Sequence, residues 1–124
     1  MKLVQCVIQP YKLDEVVEAL QSVAPGMTVS EAKGHGHQKG HVLVYRGVEY
    51  EVALLPKMMI EIVVDDNRVE DIVKVVMATA SSGEIGDGRI FVLPVIESYH
   101  IRTGFMESDL SFALQIRKED TKLS

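Results

Sequence analysis

Between residues 2 and 9 apolar and mixed positions alternate, with Val4, Cys6 and Ile8 on one side and Leu3 and Val7 on the other, which predicts a strand apolar on both faces. From Leu13 the period lengthens. Leu13, Val16, Val17, Leu20 and Val23 fall on one helical stripe, and Asp14 and Glu15 stand in the first turn, where the helix dipole favours acids. Pro25-Gly26 closes that helix, and residues 27 to 33 form a second candidate strand. A third runs from Met58 to Val64, with Met58, Ile60, Ile62 and Val64 sharing a face and Glu61 opposite. Asp65-Asp66-Asn67 then supplies capping residues, and Asn67 with Glu70 approximates a capping box for a second helix carrying Val69, Ile72, Val73, Val76 and Ala80. Ser81-Ser82-Gly83 stops this helix, Gly86-Asp87-Gly88 turns the chain, and Ile90 to Leu93 reads as a fourth strand closed by Pro94.

The order strand, helix, strand, strand, helix, strand predicts an α+β, ferredoxin-like βαββαβ sandwich with both helices on one face of the sheet. Strands that are apolar on both faces leave the second face to be covered, so self-association is expected. The 124 residues suit one domain. A ferredoxin-like fold needs only a hairpin between its second and third strands, yet about twenty residues from Gly34 to Pro56 intervene here. Insertions of that length usually carry function or lack fixed structure.

Hydrophobic residues make up 47% of the chain, enough for a core, while the net charge of −5 lacks the basic footprint that a nucleic-acid backbone requires. Nucleic acid is therefore not an expected partner. Cys6 is the one cysteine and sits in an apolar run, which predicts a packed thiol and fits a reducing compartment. No apolar stretch reaches the roughly 18 to 20 residues of a membrane span. Gln5, Gln9 and Pro10 also break any signal-peptide layout, so a cytoplasmic protein is expected.

Two glycine-rich segments carry candidate chemistry. In Gly34-His35-Gly36-His37-Gln38-Lys39-Gly40, backbone N–H groups can approach an anion while His37, Gln38 and Lys39 add polar side chains. In Gly83-Glu84-Ile85-Gly86-Asp87-Gly88-Arg89 a cation follows directly on the turn. Each segment alone is a weak signal, because glycine-rich turns that hold no ligand are common. His100 and Arg102 are two apart, which on an extended segment puts both on one face, and with Arg89 and Lys57 they sketch a local basic pocket in an acidic chain.

These segments, together with Tyr45-Arg46-Gly47-Val48-Glu49-Tyr50, Leu55-Pro56-Lys57, Ser82 to Phe91 and Arg102-Thr103-Gly104, resemble the PII nitrogen-regulatory signal-transduction proteins. The resemblance runs from Met1 to about Gly104 with its spacing intact. It implies a homotrimer with a nucleotide site in each cleft between subunits. Val7, Gly34, Glu61 and Val63 would border the adenine and ribose of ATP or ADP, with Met27 and Thr28 nearby. Gly36, His37, Gln38, Gly86, Asp87, Gly88, Arg89, His100 and Arg102 would face the phosphates. It further implies that Mg2+ held with ATP, beside Gln38, admits 2-oxoglutarate against Gln38, Lys39, Gly40 and Lys57, a chelation suited to a hard cation. Residues 35–56 would form a mobile effector loop, and Tyr50 matches the family's uridylylated tyrosine. The regulated partner implied is a transporter of ammonium or another solute, or a metabolic enzyme, and membrane contact would come only through such a partner.

The chain departs from the pattern at His37 and His100, where many relatives carry arginines. A histidine offers fewer donors and is largely neutral at pH 7. Hydrogen bonds to charged groups contribute roughly 1.5 to 3 kcal/mol each. The expectation is altered discrimination between ATP and ADP, shifted toward the smaller nucleotide, with tighter binding toward about pH 6. Val48 replaces the small residue usual in the tyrosine motif, and residues 105–124 form a C-terminal extension in which Leu110, Phe112, Leu114 and Ile116 alternate, predicting a strand that covers a subunit edge. Two rival classes stand beside this reading: a trimeric ferredoxin-like metal-binding protein using His35, His37 and His41, and a small enzyme using Asp87, His100 and Glu61. No spacing among these residues specifies a nucleophile, and the chain is not expected to be an enzyme.

Overall fold

The computed structural model describes residues 1–35, 42–45, 48–51 and 54–108. The chain runs β1 (Lys2–Ile8), a 3-10 turn (Pro10–Lys12), α1 (Leu13–Leu20), β2 (Thr28–Gly34), β3 (Val42–Tyr45), β4 (Val48–Glu51) and β5 (Leu55–Val64). A second 3-10 turn (Asp66–Arg68), α2 (Val69–Ala80), β6 (Gly88–Pro94), β7 (Ser98–Tyr99) and β8 (Met106–Glu107) follow. The main sheet has the order β2-β5-β1-β6, with every neighbouring pair antiparallel. That is the predicted ferredoxin-like arrangement, with the two short hairpins β3–β4 and β7–β8 added to it.

Register explains the core. Cys6 lies opposite Ile60 on one side and Ile90 on the other, and directly opposed residues project from the same face. On that face Val4, Cys6, Ile8, Ile60, Ile62 and Val64 are buried against Val16 and Leu20 of α1 and Ile72, Val76 and Ala80 of α2. Each fully buried aliphatic side chain contributes roughly 1.5 to 3 kcal/mol of transfer free energy. Burial also pushes the Cys6 thiol up to about 11, which leaves it protonated and inert at neutral pH. The opposite face holds Leu3, Val7, Met59, Glu61, Val63, Phe91 and Leu93, and no element of the described chain covers it; Val63, Phe91 and Leu93 stay 40%, 43% and 40% exposed.

Several expectations are corrected by the folded chain. The Asn67/Glu70 capping box does not form, because Asn67 is inside the 3-10 turn and α2 begins after Arg68 with no side-chain cap. Asp66 instead accepts a hydrogen bond of 2.8 Å from the Met1 amino group, which ties the start of that turn to the start of β1. The first helix stops at Leu20, whose carbonyl takes the N–H groups of both Val23 and Ala24; Val23 still packs on the core. Strand β5 starts three residues before the predicted Met58, at Leu55. The segment read as one loop between the second and third strands contains the hairpin β3–β4, whose valines and tyrosines suit a pleated ribbon. The strand expected at Leu110 to Ile116 lies outside the described residues.

Candidate functional site

On the uncovered face, where β1 ends and β6 begins, the structure forms a cavity of about 630 Å³. Such a volume falls within the range of small-molecule sites. Pairing places its walls: Val7 stands opposite Arg89, Ile8 opposite Gly88, and Gly34 opposite Leu55. Gly88 has φ +114, and a Cβ there would stand 1.8 Å from the Val7 carbonyl oxygen. Only glycine lets β6 close on β1 at this point, and that closure sets Arg89 beside Val7. A Cβ on Gly34 would sit 3.4 Å from Lys57 Cγ, so the floor over the lysine stem is already close-packed.

Lys57 is the cavity's buried cation. Its Nζ donates to the Gly86 carbonyl at 3.4 Å, and Gln9 Nε2 donates to the same oxygen at 2.7 Å. Burial shifts the Lys57 ammonium below its ordinary value, so an anion in the cavity would compensate a charge that the fold has partly taken out of water. Asp87 anchors the turn. Its carboxylate accepts from the Ser82 hydroxyl, from the Ser82 N–H at 2.8 Å and from the Gly83 N–H at 3.1 Å. The Ser82 hydroxyl is foremost in holding that carboxyl below the usual range. These bonds fold the backbone into a compact loop after α2, with Gly86 at φ 100 facing the cavity.

Of the residues proposed from sequence, the structure brings Val7, Gly34, Lys57, Gly86, Asp87, Gly88 and Arg89 together around this cavity. Thr28, Glu61 and Val63 lie on the same face further along the strands, where Thr28 opposes Glu61 and Val63 opposes Leu3; Glu61 accepts from Gln5 Nε2 at 3.4 Å. Met27 packs against the core. His100 and Arg102 do not share a face of an extended segment. Residues 101–103 form a turn, closed by His100 N–H to Phe105 O at 2.8 Å and Gly104 N–H to His100 O at 2.7 Å, with Gly104 at φ 71. Neither residue lines the cavity within one chain. His37, Gln38, Lys39, Gly36 and Gly40 lie outside the described residues, as does His41; Tyr50 is on β4, opposite Leu43. His35 and Glu84, which lie in the two glycine-rich segments singled out above, also line the cavity, as do Leu55 and Phe91; none of the four was assigned to the site from sequence. Phe91 was within reach of the strand period, because it stands two residues after Arg89.

Residues 1–105 match the family described as nitrogen regulatory protein P-II. The chain belongs to that family. It is 53% identical over 105 residues to the nitrogen regulatory protein P-II of Azospirillum brasilense, covering 84% of this chain and 94% of that protein. Nitrogen regulatory protein P-II 1 of Escherichia coli is likewise 53% identical over 105 residues, with the same coverages. The P-II protein of Rhizobium etli is 49% identical over 110 residues, 88% of this chain and 98% of its own. The glycine loop, Lys57 and Arg89 around the cavity all fall within the residues matched to the P-II family.

Proposed function

We propose that this P-II protein is a cytoplasmic, homotrimeric sensor of ATP and ADP that regulates a partner of nitrogen metabolism through residues 35–56. The observation that carries the reading is the cavity in which the Gly86–Arg89 turn, Lys57 and Arg89 converge. Its chemistry fits phosphates, combining a glycine-rich turn with two cations on rigid strands. The uncovered apolar face, with Val63, Phe91 and Leu93 exposed, favours assembly. In a trimer a neighbour would bring His100 and Arg102 to the cleft, and the far end of the same face would meet the adenine and ribose.

Magnesium held by ATP and Gln38 would supply a Lewis-acidic point for a 2-oxo acid, whose carboxylate Lys57 would pair with. The protein acts as a regulator and not as a catalyst, on a transporter of ammonium or another solute or on a metabolic enzyme. Among the described residues no helix is long and apolar enough to cross a membrane, and contact with one comes through the partner. Tyr50, on the β3–β4 hairpin, is the candidate for covalent modification.

Calorimetric titration with ATP, ADP and AMP, with and without magnesium and 2-oxoglutarate, tests the reading alongside light scattering for the assembly state. Micromolar nucleotide binding by a trimer supports it. Absence of nucleotide binding, or a monomer, overturns it.

A further inference from the structure

Lys57 and Glu107 are the two buried charged side chains among the described residues. Lys57 belongs to the cavity. Glu107 is on β8, two residues past the end of the family match, and its Oε1 meets Nε2 of His100. The Glu107 side chain is 8% exposed and that of His100 49%, so a ligand can reach the ring while the carboxylate lies behind it. The ring is held firmly. Phe105 packs edge-on against it at 5.9 Å and 66°, and the turn hydrogen bonds fix its backbone on both sides.

A carboxylate only accepts, so the contact requires the proton on Nε2. In the neutral ring that leaves Nδ1 as a bare lone pair, which repels a phosphate oxygen. In the imidazolium Nδ1 donates, but the pair with Glu107 then carries no net charge. An arginine at the same place would bring a full charge and a planar fork of donors. In either protonation state, then, the His100–Glu107 pair is a poorer anion partner than a cation with no carboxylate beside it.

Resting on the nucleotide reading above, we propose that Glu107 is a selectivity residue, which by occupying His100 Nε2 penalises the terminal phosphate and ranks a nucleoside diphosphate above the triphosphate. The penalty grows with ligand charge. It is smallest for a monophosphate, which carries the least charge.

The test titrates ATP, ADP and AMP into the full chain carrying Glu107 and into Glu107→Gln, which keeps the shape and removes the charge, with Glu107→Asp as the conservative variant. Wild type is expected to bind ADP more tightly than ATP. In Glu107→Gln the ATP affinity is expected to rise about tenfold, ADP less and AMP least, and Glu107→Asp restores the original ranking. Equal changes for all three nucleotides, or none, overturn the proposal while leaving the sensor reading intact. Nitrogen-15 NMR of His100 without nucleotide gives an independent readout: the Nε2-protonated tautomer or the imidazolium is expected, and the Nδ1-protonated tautomer overturns the proposal. Wild-type protein that binds no nucleotide overturns both readings together.

Discussion

Gly88→Ala is the substitution on which the site's construction is most exposed. The added methyl would stand 1.8 Å from Val7 O, 2.9 Å from Val7 C and 3.2 Å from Ile8 Cα, all backbone atoms that cannot rotate away. The φ of +114 adds strain that a residue bearing Cβ rarely adopts, at a cost of about 1 to 3 kcal/mol. To relieve the clash β6 must withdraw from β1, disrupting the pairs Gly88↔Ile8 and Arg89↔Val7. Each ladder hydrogen bond lost costs about 0.5 to 1.5 kcal/mol. With one ladder bond lost from each pair the sum is about 2 to 6 kcal/mol, a large part of the 5 to 15 kcal/mol that holds a typical domain folded. Urea denaturation monitored by circular dichroism measures it. Gly26→Ala serves as control, because a Cβ there meets nothing within 4 Å, and its stability should stay within about 1 kcal/mol of wild type. If Gly88→Ala also stays within 1 kcal/mol, the close approach of β6 to β1 is not what positions Arg89, and the account of the cavity fails.

Three further outcomes follow from the same contacts. Cys6 should resist alkylation at pH 8 except at the rate of unfolding; since its folded pKa is raised to about 11 from an ordinary 9.0, its contribution to stability is complete below about pH 9 and lost as pH rises through 11. Asp87→Ala should cut amide-exchange protection at Ser82 and Gly83 and weaken nucleotide binding; because the Asp87 pKa is lowered, the same protection in wild type should persist at neutral pH and fade only as pH drops through its depressed value, below the ordinary 3.8. Lys57→Met should abolish any 2-oxoglutarate response and leave the Gly86 carbonyl with Gln9 Nε2 as its remaining donor of the two; a response that persists in calorimetric titration would refute this.

Much of the fold was legible because it follows from local periodicity. The two-residue alternation in Lys2–Ile8 and the helical stripe from Leu13 to Leu20 each report a face that must be buried, and burial on those faces is what the structure shows. The site was legible in part. Gly86, Asp87, Gly88 and Arg89 are contiguous in the chain, so a motif captures them; Lys57 meets them through a contact spanning 29 residues, which the sequence could only sketch by grouping it with Arg89 in a local basic pocket. Capping and loop geometry were less legible because alternatives compete for the same side chains. Asp66 is a good cap by type, yet the Met1 amino group, 65 residues away, is the stronger partner for its charge.

By itself the sequence determined the α+β class, the order of the main elements, the apolar character of both sheet faces and membership of the P-II family, since these rest on side-chain pattern and on motifs of adjacent residues. Tertiary structure alone decided that Gly88 must be glycine, that His100 turns to Glu107 instead of lying in line with Arg102, and that Val7, Lys57 and Arg89 share one cavity. Those outcomes depend on strand register and on backbone approach across the sheet. A one-residue shift of β1 would send Val7 to the helix face and away from Arg89, so the cavity exists only once the core pairs Cys6 with Ile60 and Ile90 have locked β1 in place.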